Sequence, residues 1–270
     1  MNLRHDPYTV FRNSTTPAGL YARQKWLDQE SHGRWQSAFQ RCVDGLIAGQ
    51  SPDGSWNQDE METIRRLFGL HLTVRAPDRS IAAAMEWLID RLADAPLRLR
   101  DGRQPELDHR ALRGLPFVKA PRDAVVFAAT LFLACIFDQS ADPQVISAYE
   151  AVMQEAVEAK GSPANSATGA NMLRALVVHP TFVNDISTAL IVEHLADLQF
   201  PAGDWPDPIP FYQTVNALAH LDHPTADSQL EKAWRRLAQT QHSDGTWSTD
   251  QPEWNTFLVV HAMRRKSVLA

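Results

Sequence analysis

The segment Gln241-His242-Ser243-Asp244-Gly245-Thr246-Trp247 repeats an earlier one, Gln50-Ser51-Pro52-Asp53-Gly54-Ser55-Trp56, at Gln, Asp, Gly and Trp. A weaker third copy, Gln199-Phe200-Pro201-Ala202-Gly203-Asp204-Trp205, keeps Gln, Gly and Trp. At average residue usage, four such matches meet by chance about once in 10⁵ windows, so the chain is built from repeating units. Each copy supplies a turn, because Gly accepts backbone angles that a Cβ forbids. A second marker agrees: His179-Pro180-Thr181 and His223-Pro224-Thr225 stand 44 residues apart, and the last two Gln-Gly-Trp copies stand 42 apart. A unit of about 43 residues is in the range of helix-pair repeats.

Apolar spacing fills in the helices. Thr15 or Thr16 before Pro17 marks a helix start, since Pro is tolerated at the first helical position. Leu20, Tyr21, Trp26 and Leu27 give that helix its buried side, ending near Ser31-His32-Gly33. Residues 1–16 read as an irregular lead-in. Phe39, Cys42, Val43, Leu46 and Ile47 recur at helical spacing up to the first motif. Helices then follow over about Glu60–Val74, Asp78–Ala93, Pro143–Ala159 and Ser166–Val178, the last two joined by Gly161-Ser162-Pro163. Val125 to Phe137 is apolar except for Thr130, which predicts a helix buried on all sides and too short to cross a bilayer. The expected architecture is all-α: one domain of about five helix pairs plus an N-terminal helix. Each pair has an amphipathic member before the motif and a more apolar member after it. Pairs that bury a face only against neighbours form a solenoid, and an apolar inner set closes it into a ring.

Between Pro96 and Arg122 a long loop replaces the short motif turn. It carries seven basic residues (Arg98, Arg100, Arg103, Arg110, Arg113, Lys119, Arg122) against three acids. Loops of this length are functional lids or unstructured segments.

Composition narrows the partners. The 270 residues carry a net charge of −6, which argues against a general nucleic-acid or anionic-membrane partner. With 44% hydrophobic residues the chain can build a sizeable core. Cys42 and Cys135 both sit in apolar helical patterns and read as reduced core residues. The stretch Met1-Asn2-Leu3-Arg4-His5-Asp6-Pro7 lacks the apolar region of a signal peptide, and no window approaches a membrane span. A soluble cytoplasmic protein with an undetermined oligomeric state is expected.

The Q-x-x-D-G-x-W pattern at the end of an outer helix resembles the QW motif of the terpenoid cyclase and protein prenyltransferase superfamily, squalene–hopene cyclases included. Pro210 to Leu218 is similar to the inner-helix segments of prenyltransferase β subunits. The likeness covers about residues 35–265. It implies an α/α toroid with a central, largely apolar cavity, in which the Gln and Trp of the motif tie one helix end to its neighbour. Several family features are missing. No D-x-D-D cluster is present for alkene protonation, no Asp-x-Cys for a prenyltransferase zinc, and no G-C-G-E-Q for a thioester. Two core cysteines do not suit the zinc site of lanthionine cyclases. The scaffold carries over without a known catalytic set, so no cofactor and no metal is expected.

Three groups of residues are candidates for chemistry. Acids gather at the motif rim: Asp59, Glu60 and Glu62, then Asp204 and Asp207, then Asp250 and Glu253. Acids at helix N-termini ordinarily cap free N–H groups. If Asp204 or Asp207 instead enters an apolar cavity, burial raises its pKa and makes it a general acid. The second group is the inner-helix set Phe211, Tyr212, Gln213 and Asn216, with Trp254, Asn255 and Thr256 one unit later. In prenyltransferases this level faces the substrate, which implies a cavity wall here. The third is the arginine set Arg98, Arg100, Arg103, Arg110 and Arg113, whose guanidinium forks match a diphosphate or carboxylate head group. Histidines His179, His220 and His223 read as structural.

Two functions follow. One is a terpenoid-cyclase-like enzyme that takes an apolar substrate, an isoprenoid among the candidates, and starts cyclisation or isomerisation with an acid. The other is a non-catalytic binding or interaction protein on a degenerate toroid of the same kind. A polysaccharide lyase or glycoside hydrolase would need an open polar cleft, which the apolar inner helices oppose.

Overall fold

The computed structural model describes residues 3–74, 78–92, 105–161 and 166–269. Eleven helices are found among the described residues: α1 (Pro17–Lys25), α2 (Gly33–Ile47), α3 (Glu60–Thr73), α4 (Arg79–Ile89), α5 (Arg122–Ile136), α6 (Pro143–Glu158), α7 (Ala167–Leu176), α8 (Ile186–Leu198), α9 (Phe211–Leu218), α10 (Pro224–Thr240) and α11 (Pro252–Arg265). The only extended pairing among those residues is an isolated bridge, Glu106 to Pro121.

Local chemistry sets the helix starts. Thr16 caps α1 by accepting from the Gly19 N–H, with Pro17 in the first turn. Asp59, Asp78, Asp142, Ser166 and Asp185 cap α3, α4, α6, α7 and α8 in the same way. The His-Pro-Thr marker has the same role. His223 Nδ1 accepts from the Thr225 N–H at 3.3 Å, and His179 Nδ1 accepts from Thr181 and Phe182 at 3.1 and 3.2 Å.

The odd-numbered helices α1, α3, α5, α7, α9 and α11 each pack on the next, and α11 packs back on α1, so an inner ring of six helices is closed. The even-numbered helices form the outer layer. Helix α5, the apolar segment, is buried continuously from Ala124 to Ala134. An all-helical α/α toroid is thus the observed fold.

The repeated motifs clasp neighbouring outer elements. Trp56, Trp205 and Trp247 donate their indole N–H to Ala48, Leu195 and Leu237 carbonyls, which satisfies C-terminal oxygens of α2, α8 and α10. Gln50 Nε2 donates to Ser80 O on α4 at 2.8 Å, and Gln199 Nε2 to Gln229 O on α10 at 3.0 Å. The motif Asp closes an Asx turn: Asp244 Oδ1 accepts from the Thr246 N–H and Oγ, bonds that hold its carboxyl below the usual range. The copy with Ala202 lacks the Asx turn and keeps the backbone bonds Phe200 N–H to Asp204 O and Gly203 N–H to Phe200 O, both at 2.9 Å.

Two clasps were not legible as copies. Gly161 has positive φ (77°) and would place a Cβ 2.4 Å from Leu190 O, just as Gly203 (94°) would meet Lys232 O at 2.4 Å. The turn after α6 is therefore a fourth copy that has lost both Gln and Trp. The lead-in is the other: Gln241 Nε2 donates to His5 O at 3.0 Å and Oε1 accepts from the His5 N–H at 3.1 Å. Residues 5–11, with a 3₁₀ turn over Thr9–Phe11 and Phe11 fully buried, thus stand where a sixth outer helix would be.

Candidate functional site

All six inner helices contribute to a cavity of about 120 Å³ at the centre of the ring. Its walls are aromatic: Tyr21 from α1, Phe68 from α3, Phe132 from α5, and Trp254 and Phe257 from α11. Trp254 and Phe257 stack at 5.3 Å with a 12° interplanar angle, and Phe68 meets Trp254 edge-on at 5.8 Å. Polar lining comes from His71, Arg174, Asn216, His220 and His261, with no carboxylate among the lining residues.

These residues hold one register. Phe132, Arg174, Asn216 and Leu258 follow each other at steps of 42 residues, so each occupies the same level of successive inner helices. The register also links them chemically. Arg174 Nη1 donates to Asn216 Oδ1 at 2.7 Å, Asn216 Nδ2 donates to Leu258 O at 2.9 Å, and the guanidinium lies 5.0 Å over the Phe132 ring. One turn further along, His220 stacks on His261 at 5.5 Å.

Residues 105–121 cover the motif-side end of the ring. Leu115 O accepts from Trp254 Nε1 at 3.0 Å, the Gly114 N–H donates to Gln251, and Ala111 O accepts from Arg65. Asn171 of α7 pairs with both backbone groups of Val118. Pro116 forms part of the cavity wall. The described part of the long loop is therefore packed cover, with Leu107, Leu112, Leu115 and Phe117 buried.

Of the residues expected to line a cavity, Asn216 and Trp254 do so. Phe211 instead meets Trp205 and lies under Arg236, 5.6 Å from its guanidinium. Tyr212 packs on Phe211, and burial raises its phenol pKa. Gln213 is half-buried and outside the lining set, and Asn255 Nδ2 donates to Asp250 O at 2.8 Å. Asp204 pairs with Arg236 at 3.0 Å and Asp207 is exposed; neither stands on the cavity wall. Arg110 and Arg113 are exposed. Arg98, Arg100 and Arg103 lie outside the described residues. Tyr21 and Phe68, read as helix packing, and His220, read as structural, line the cavity, as do His71, Phe132, Arg174, Phe257 and His261, which the sequence reading did not single out, although the 42-residue step from Asn216 leads directly to Arg174 and Phe132.

A wider groove of about 440 Å³ lies outside the ring between the lead-in and α2, lined by Asn13, Arg23, Arg34, Ser37 and Arg41. Arg34, Ser37 and Arg41 are exposed, and it has no aromatic wall, so it reads as surface relief. Among the described residues no group of three His, Cys, Asp or Glu side chains is arranged to hold a metal ion. Nor is any described helix long and apolar enough to cross a membrane. Cys42 and Cys135 are free thiols; burial raises both, Cys135 to about 11.

No protein-family model and no curated protein sequence matches the chain. Solved structures do match. The type II terpene cyclase MstE from Scytonema, in its apo form, is similar over 98% of this chain and 89% of its own, with a TM-score of 0.57 and 14% identity. The fold is a terpene-cyclase-like toroid. A protein from Actinoplanes is similar over 97% of this chain and 90% of its own, with a TM-score of 0.56 and 16% identity. At such identities the likeness speaks for the toroid fold alone.

The cavity of this toroid has a pH signature. Burial, and then the charge of Arg174, push the His220 pKa well below its ordinary value. The unfolded chain therefore takes up this proton first as pH falls below about 6.5, and native stability declines toward the folded-state pKa. The limiting slope is about 1.4 kcal/mol per pH unit for one such group. His220→Gln is expected to flatten the loss of stability between about pH 6.5 and 5 in urea midpoints. An unchanged slope would contradict the assignment.

Proposed function

We propose that this toroid is a small-molecule-binding protein whose centre takes one compact apolar ligand, the size of an aromatic ring or a single isoprene unit. What carries the reading is the aromatic cavity of about 120 Å³ shared by all six inner helices. An apolar cavity of about 150 Å³ takes up benzene, whereas drug-sized ligands occupy about 300–1,000 Å³. A long polyprenyl chain does not fit this volume without opening the ring. Protonating an alkene calls for an acid within reach of the substrate, and among the described residues the cavity wall offers no carboxylate. Binding is therefore favoured over acid-initiated cyclisation or isomerisation by Asp204 or Asp207.

Thermal unfolding with toluene, isoprenol, farnesol and farnesyl diphosphate separates the two. Toluene and isoprenol should stabilise the native state, by about 2.7 kcal/mol at 100 times the dissociation constant. Farnesol should have no comparable effect, and farnesyl diphosphate should be recovered unchanged. Turnover of farnesyl diphosphate that disappears in an Asp204→Asn/Asp207→Asn double variant would overturn the proposal in favour of the cyclase.

A further inference from the structure

Arg174 is a cation in a largely apolar wall. It is 7% exposed, and no carboxylate pairs with it among the described residues. Nη1 is held by Asn216, which is in turn held by Leu258 O. Nε is buried without an acceptor, and among the described residues no group accepts from Nη2. The Nε–Nη2 edge is the fork that matches the two oxygens of a carboxylate. Burial, and then the nearby charge of Arg265, push the guanidinium pKa down to about 9, which leaves it protonated at neutral pH. Helix C-termini contribute partial negative charge, yet among the described residues no backbone oxygen accepts from this guanidinium. An unpaired buried charge is costly, and buried charges are ordinarily paired. The surrounding contacts orient the group without neutralising it.

We infer that Arg174 is the anion-binding residue of the central cavity and that its ligand is a small carboxylate on a branched or aromatic apolar body. The inference rests on the cavity being a binding site. One cation with one open two-donor edge suits a monoanion presenting two oxygens. The aromatic rings enclose the apolar body, and Asn216 keeps the fork in place.

The test is an NMR-detected titration of the full chain with 3-methylbutanoate, with its neutral near-isostere 3-methylbutanamide, and with toluene. The carboxylate should bind at least about ten-fold tighter than the amide. Arg174→Gln should abolish that preference and leave toluene binding intact, while Arg79→Gln, at an exposed arginine of α4, should change neither. Equal affinity of acid and amide, with toluene still bound, would overturn the role of Arg174 and leave the cavity reading standing. No binding of any of the three would sink both. If Arg174→Gln does not fold, the comparison of acid and amide on the unaltered chain still decides.

Discussion

Trp247→Ala lowers the free energy of unfolding by about 4 kcal/mol, within the range for removal of a buried tryptophan. The indole is fully buried, and two bonds fix its place. Nε1 donates to Leu237 O at 2.9 Å, and the backbone N–H donates to Thr256 Oγ at 3.1 Å. The first bond satisfies a C-terminal carbonyl of α10, and the second anchors the motif to α11. Truncation leaves a cavity between an outer and an inner helix and orphans the Leu237 carbonyl. Trp247→Phe keeps much of the volume and loses only the indole bond, so it should cost about 1–2 kcal/mol. Urea unfolding at constant m-value reads both. A loss below about 1 kcal/mol for the alanine variant would show that the motif is not a structural clasp.

The second large effect is Gly203→Ala, expected to destabilise by about 3 kcal/mol. Its φ of 94° is unfavourable for a residue with a Cβ, and that Cβ would lie 2.4 Å from Lys232 O in the backbone of α10. A helix carbonyl held in its own hydrogen-bond ladder has little room to yield. Gly49 is the control: its φ is 77° but nothing lies within 4 Å of the added Cβ. Gly49→Ala therefore bears only the torsional cost of about 1–2 kcal/mol. The difference between the two variants isolates the close approach of turn and neighbouring helix. Equal losses would mean that the clasp is looser than its geometry.

The repeat was legible because its clasps are local: Gln, Gly and Trp must recur wherever a turn grips the next outer helix. Ring closure was less so. The lead-in completes the last clasp through the backbone of His5 and Asp6, and backbone contacts leave little mark on residue type. Gly161 shows the same limit, since a clasp that keeps only its glycine looks like any loop. The direction of the rim acids was not legible, for a physical reason. Asp59 caps α3, Asp204 is taken up by Arg236, and rim position says nothing about which way a carboxylate turns. Arg174 in the last turn of α7 resembles any cation at a helix end. Only its alignment with Phe132, Asn216 and Leu258 at equal steps places it at the cavity.

The most direct test of the central cavity is methyl-resolved NMR of the full chain during a toluene titration. Ile136, Val178, Leu72 and Leu258 line the cavity, whereas Val43 belongs to the packing of α2 on the outside of the ring. Saturable shifts confined to the first four methyl sets, with Val43 unchanged, are the predicted result. Absence of any shift at those four, or shifts produced by farnesol and not by toluene, would contradict a ring-sized binding cavity.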